Sequence, residues 1–178
     1  NFGLGEKLPF EYGLSKSQLS SDGTIKNDIQ LADSGYGQGE ILLNPVHLMA
    51  IYDSFVNEGS IVAPYLLYRD DKKVDIWKKN VYPKEVADII LKDLIQVVSN
   101  PRGTAHEAYI PGETLAGKTG TAEIKSSQQD TTGTEVGWFA AVNADNPNFL
   151  VLAMVEDAKD KGGSHYVVPI VKEIFQEK

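Results

Sequence analysis

Cysteine is absent from this chain of 178 residues, and that absence removes disulfides, thiolate metal sites and a cysteine nucleophile together. Histidine is scarce. His47, His106 and His165 are the 3 present, and they stand far apart with no paired-ligand spacing, so no metal site is expected. His47 falls inside a helical pattern and reads as a core histidine with satisfied ring nitrogens. Asp22, Asp28 and Asp33 miss the spacing of a calcium loop and read as turn residues. Positive charge is in deficit, 17 Lys and Arg against 25 Asp and Glu for a net charge of −8. Phosphate recognition needs clustered cations, so no nucleic-acid partner is expected. The one basic run, Lys72-Lys73 with Lys78-Lys79, is broken by Asp70, Asp71 and Asp75 and reads as a solvated surface. Long apolar runs are missing too: Phe149 to Val155 is far short of the roughly 20 residues that cross a bilayer.

What remains is ordinary globular composition, 42% hydrophobic and 24% charged, enough for one domain with a real core. The chain opens at Asn1 directly into Phe2-Gly3-Leu4-Gly5. That reads as the interior of a longer protein, so the lack of a leader is expected to say nothing about location.

Residues 1–39 are rich in Gly, Ser, Asp and Asn, which predicts loops with at most short helices. Asn44-Pro45 is a helix start, a capping amide followed by a residue pre-shaped for the first turn. Val46, Leu48, Met49, Ile51, Phe55 and Val56 make that helix apolar around much of its girth, which predicts deep burial, and Gly59 is its expected left-handed stop. Ile61 to Tyr68 alternates loosely and reads as a strand, with Arg69 to Lys73 as a polar turn. A second helix starts at Pro83 and carries Val86, Ile89, Ile90, Leu94, Val97 and Val98 on one stripe. It ends in the breakers Ser99-Asn100-Pro101-Arg102-Gly103. Thr114 to Lys125, Glu135 to Ala144 and Asn148 to Glu156 then read as strands. Short connections, a polar loop over Ser126 to Thr134 and a turn at Asp145-Asn146-Pro147, predict an antiparallel meander. Its two later strands are apolar on both faces and need cover on both. Val167, Ile170, Val171, Ile174 and Phe175 predict a final helix that covers one of them. The expected fold is α+β, an antiparallel sheet sandwiched between helices, in one fold unit.

The sharpest chemical signal is Lys118-Thr119-Gly120-Thr121, followed by Ala122-Glu123. A match to K-[ST]-G-[ST] arises by composition in about one chain in a hundred of this length, so its context has to decide. It lies on the first sheet strand, ahead of Trp138-Phe139. A strand edge there presents an ammonium, two hydroxyls and a backbone amide in line, an array that can hold a carboxylate and stabilise the oxyanion of acyl transfer. Gly120 lets a ligand approach the backbone. The bland alternative is a lysine in water and a glycine at a bulge. Ser34-Gly35-Tyr36-Gly37-Gln38-Gly39-Glu40 is a second candidate, a loop able to line a cleft. It lacks the Gly-Lys-Ser/Thr ending of a phosphate cradle.

Leu31-Ala32-Asp33 through Gln38-Gly39-Glu40 and Asn44-Pro45 resembles the stretch before the long buried helix of class B penicillin-binding proteins. Lys118-Thr119-Gly120-Thr121-Ala122-Glu123, Gly137-Trp138-Phe139 and Asp145-Asn146-Pro147-Asn148 continue the likeness in order, nearest to the low-affinity, methicillin-resistance type of Gram-positive bacteria. The resemblance implies part of a serine DD-transpeptidase that acts on D-Ala-D-Ala ends, cross-links peptidoglycan stem peptides and is acylated by β-lactams. No cofactor is implied. Its location would be the extracytoplasmic face of the membrane, held by an N-terminal anchor outside this chain. Such enzymes combine S-x-x-K with the nucleophile, S-x-N, and K-[ST]-G. Neither of the first two patterns occurs here, so residues 1–178 are expected to be the C-terminal portion of the domain and inactive alone.

By the same resemblance, Lys118 orients the proton-transfer network and attracts the carboxylate, which Thr119 and Thr121 hydrogen-bond. The Thr121 amide is one oxyanion donor, the other being the amide of the upstream serine. Gln38 lines the cleft from the opposite loop, and Glu123 is functional or merely structural. A serine β-lactamase or a β-lactam sensor are the alternatives; the Gly35 to Gln38 segment and the Leu31 to Pro45 stretch favour the transpeptidase. Cutting the sheet is expected to leave Phe149 to Val155 as an apolar edge, to be filled by the missing N-terminal half of the domain or by a second copy in an edge-strand dimer.

Overall fold

The computed structural model describes residues 2–68, 70, 73–125, 130 and 132–178. The chain gathers into two compact units, Asn1–Ala87 and Asp88–Lys178, with the division inside a helix.

Unit 1 is mostly loop, as its composition predicts. Helix α1 (Asp28–Ser34) starts where Asn27 accepts the Gln30 amide at 2.9 Å. Helix α2 (Pro45–Asp53) starts with Pro45 in its first turn and the Asn44 side chain accepting the Val46 amide at 3.0 Å. The expected deep burial of α2 is corrected by the structure: His47 and Ala50 are buried, whereas Met49 is 36% exposed. Its partner element in this unit is the two-residue strand β1 (Ile61–Val62), too small to cover a helix that is apolar all round. Gly59 is not the helix stop either. The helix ends at Asp53, capped by Ser54, and turns carry the chain to Gly59 at φ +82°. Glycine is required there for another reason, since a Cβ would stand 2.2 Å from the Tyr82 carbonyl oxygen.

The strand expected over Ile61 to Tyr68 stops after Val62, because Pro64 has no amide to give a ladder and Tyr65 to Tyr68 run exposed. Strand β1 pairs instead with β2 (Ile76–Lys78). The Arg69 to Lys73 turn lies largely outside the described residues. His47 is the satisfied core histidine that its position suggested. Nε2 lies 2.8 Å from the Phe2 carbonyl oxygen, which only accepts, so Nε2 carries the proton. Nδ1 then accepts from Ser17 Oγ at 2.8 Å, and that oxygen accepts the Asn44 amide at 3.0 Å.

Helix α3 (Lys84–Ser99) follows Pro83 and buries Ala87, Leu94 and Val98. Beyond it unit 2 is built on a three-stranded antiparallel meander: β3 (Leu115–Ile124), β4 (Thr134–Asn143) and β5 (Leu150–Val155). Each strand lies within two residues of its expected span. The β4–β5 turn is locked by the Asn143 side chain, which accepts the amides of Asp145 and Asn146 at 3.0 and 3.1 Å. The polar loop expected over Ser126 to Thr134 falls mostly outside the described residues. Helix α4 (Val167–Glu177) packs Val168, Val171 and Phe175 on Leu115, Phe139 and Ala141 of one sheet face. The other face buries Ala116 of β3 and Ala140 and Val142 of β4, so β4 is covered on both faces as expected, whereas β5 is not: none of its residues is fully buried and Met154 is exposed. The α+β class and the antiparallel sheet are as the sequence implied.

Candidate functional site

The register of the meander decides what β3 offers. Thr114 and Ala144 flank it in line, and the Ala144 amide donates to the Thr114 carbonyl at 2.8 Å. Bonded pairs in an antiparallel ladder recur every second residue. Lys118 opposite Ala140 and Gly120 opposite Trp138 therefore direct their backbone groups to β4. Thr119 and Thr121 turn theirs to the other edge, where no further strand pairs among the described residues. Lys118 confirms the direction: its Nζ donates to the Thr119 carbonyl oxygen at 2.7 Å. One edge thus gathers an exposed ammonium, the Thr119 carbonyl and the Thr121 amide direction.

Side chains alternate as well. Lys118 and Gly120 share one face; Thr119 and Thr121 share the face on which Leu115 meets α4. Both threonine hydroxyls have protein partners there. Thr119 Oγ1 lies 2.8 Å from Thr104 Oγ1. Thr121 Oγ1 accepts the Ser164 amide at 3.1 Å and donates to Ser164 Oγ at 3.1 Å. Ser164 reaches it because glycines let the backbones touch. A Cβ on Gly137 would stand 2.5 Å from the Gly163 carbonyl oxygen, and a Cβ on Gly163 would stand 2.9 Å from Thr121 Oγ1.

Two glycines of β3 differ in kind. At Gly117 a Cβ would meet the Ala140 carbonyl oxygen and the Phe139 ring, both at 2.8 Å, so packing alone demands glycine. At Gly120 the nearest atom is Trp138 Cβ at 3.6 Å, an ordinary contact. Nothing within the described residues requires glycine at Gly120.

The structure brings Lys118, Thr119, Gly120 and Thr121 together on one strand, and Glu123 follows with its side chain paired to Lys125 at 2.6 Å. Gln38 belongs to unit 1, in the turn after α1, half-buried between Gly37 and Gly39, with its amide on the Asp33 carbonyl at 3.0 Å. The partners of the motif hydroxyls, Thr104 and Ser164, were missed in the sequence. The one visible signal was glycine immediately before each, Gly103 and Gly162-Gly163. Among the described residues no cluster of His, Asp or Glu is placed to hold a metal ion, and no helix is long and apolar enough to cross a membrane.

Comparison with known proteins locates this arrangement. The model of the penicillin binding protein transpeptidase domain matches residues 1–176. Penicillin-binding protein 3 of Bacillus subtilis is 45% identical over 175 residues, covering 98% of this chain and 26% of that protein. A peptidoglycan D,D-transpeptidase FtsI homolog of Mesostigma viride is 26% identical, covering 98% of this chain and 33% of its own length. The chain therefore spans about a quarter to a third of these curated relatives. Among solved structures, the ceftriaxone acyl-enzyme complex of penicillin-binding protein A from Mycobacterium tuberculosis superposes with a TM-score of 0.81 at 22% identity, over 98% of this chain and 40% of that one. The apo transpeptidase domain of Burkholderia pseudomallei penicillin-binding protein 3 gives 0.78 at 19%, over 99% and 55%. At these identities the structures speak for the fold.

Proposed function

This chain belongs to the penicillin-binding-protein transpeptidase domain family, and from that premise we propose that β3 is one wall of the active site of a serine D,D-transpeptidase. The enzyme cross-links peptidoglycan stem peptides and is acylated by β-lactams. A serine borne outside residues 1–178 attacks the substrate carbonyl. The Thr121 amide, directed to the edge, receives the oxyanion, and Lys118 draws in the carboxylate and orients the proton transfer. Thr119 and Thr121 donate to that carboxylate. Thr121 Oγ1 accepts the Ser164 amide and gives its hydrogen to Ser164 Oγ, so binding the carboxylate redirects that hydrogen from Ser164 to the ligand. The protein works at the extracytoplasmic face of the membrane, anchored by a segment outside this chain.

The observation that carries the reading is Gly120, a glycine that the packing of β3 does not need and that a ligand lying along the strand does. Two alanine substitutions separate the cases in a protein containing the whole domain. Gly117→Ala should destabilise by about 1–3 kcal/mol through overpacking. Gly120→Ala should leave the thermal midpoint where it is and slow acylation by benzylpenicillin at least about tenfold, the loss of roughly one charge-assisted hydrogen bond. Normal acylation of the Gly120 variant would mean that β3 is not the ligand wall.

A companion proposal concerns the far side of the sheet. β5 pairs only with β4 among the described residues, and its run Leu150 to Val155 carries neither proline nor charge. Such an edge templates pairing; we infer that a strand from the rest of the domain fills it, and that the chain alone dimerises there or aggregates. Light scattering decides, since a well-dispersed monomer at high concentration would contradict the strand order.

A further inference from the structure

Thr121 meets Ser164 twice. Its Oγ1 accepts the Ser164 amide at 3.1 Å and donates to Ser164 Oγ, also at 3.1 Å. The second bond runs one way. Between Thr104 and Thr119 either hydroxyl can donate, whereas here Thr121 is the donor and Ser164 the acceptor. Thr121 is exposed, and Ser164 is only 7% exposed. The hydrogen of a solvent-facing motif hydroxyl is thus turned inward, onto an oxygen that water scarcely reaches.

The turn after β5 holds that oxygen in place. The Gly163 amide donates to the Ala158 carbonyl at 2.8 Å, and the Ala158 amide donates to the Glu135 carbonyl at 2.8 Å, which ties the turn to β4. The His165 amide closes on the Gly162 carbonyl at 3.2 Å. Ala158 and Val167, on either side of the turn, are fully buried. Ser164 Oγ is therefore kept against β3 by backbone bonds that do not involve its side chain.

The two bonds to Thr121 bear differently on a ligand. The amide bond fixes where Oγ1 stands and leaves its hydrogen alone. The hydroxyl bond competes for that hydrogen. A carboxylate that takes it strips a nearly buried oxygen of its donor, and an acceptor left unsatisfied there carries a desolvation penalty. We propose that Ser164 is a positioning residue that restrains the Thr121 hydroxyl and weakens the capture of anionic ligands. The proposal deepens the transpeptidase reading and rests on it. Ser164 touches no ligand and acts only through Thr121, so deleting its oxygen makes the site faster rather than slower.

Second-order acylation by benzylpenicillin and by its methyl ester is compared in the protein with its complete domain, wild type against Ser164→Ala. Alanine keeps the amide bond and removes the competitor, so benzylpenicillin should acylate the variant about three- to tenfold faster, the worth of one net hydrogen bond. The methyl ester, which lacks the carboxylate charge and accepts only weakly, should change by less than about twofold. The gain should vanish when Thr121→Val is added, because the two side chains act as one coupled pair. Ser164→Gly deletes the same oxygen and repeats the measurement should alanine disturb the turn, with the thermal midpoint read alongside. A slower or unchanged benzylpenicillin rate overturns the proposal, and so does equal acceleration with both compounds or a gain that survives Thr121→Val. A wild-type protein that benzylpenicillin does not acylate overturns the transpeptidase reading, and this proposal with it.

Discussion

Replacing Lys118 with alanine is expected to slow β-lactam acylation about 10²- to 10³-fold, the scale for removing one preorganised charge-stabilising group. The size follows from position. Lys118 is exposed and its ammonium lies on the Thr119 carbonyl, at the edge to which Thr119 and Thr121 turn their backbone groups. It is the one cation of the Lys118–Thr121 stretch. On the proposed reading a carboxylate arriving along β3 meets it, and it compensates the charge that develops on the attacked carbonyl. Stability should hardly move, since exposed substitutions away from caps and buried networks stay within about 0.5 kcal/mol. Stopped-flow acylation with a reporter β-lactam, alongside a thermal melt, separates the two effects. Wild-type kinetics in the alanine variant would mean that the motif assignment is wrong.

The sheet was legible in the sequence because its signals are local. Gly137 to Val142 and Phe149 to Val155 are apolar on both faces, and Asp145-Asn146-Pro147 leaves room only for a tight turn. The start of α2 was legible for the same reason, since Asn44 and Pro45 act within one turn. Strand β2 was not. Its three residues sit among lysines, and pairing with β1 rather than alternation creates it. The burial of α2 was misjudged because all-round apolarity says what a helix could bury, not what stands beside it.

The candidate site divides along the same line. Lys118, Thr119, Gly120 and Thr121 share one strand, so their spacing shows in four consecutive letters. Their hydroxyl partners come from afar: Thr104 lies 15 residues before Thr119, and Ser164 lies 43 beyond Thr121. Those pairings exist only after α3 and α4 have packed on the sheet. The distinction between Gly117 and Gly120 was equally hidden, because it depends on which atoms of β4 lie behind each Cα.

Mass spectrometry after exposure to benzylpenicillin tests the central claim most directly, with the 178-residue chain and the protein carrying the whole domain treated side by side. An acyl-enzyme needs an activated nucleophile whatever the oxyanion donors offer. These residues contain no Ser-x-x-Lys, and Ser164, which lies beside Thr121, is engaged in structural bonds. The account predicts no mass gain on the chain alone, and on the longer protein one benzylpenicilloyl group on a serine of a Ser-x-x-Lys sequence outside residues 1–178. A stoichiometric adduct on the isolated chain, or an acylated residue mapped within it, would contradict the claim that β3 is the wall of a site whose nucleophile lies elsewhere.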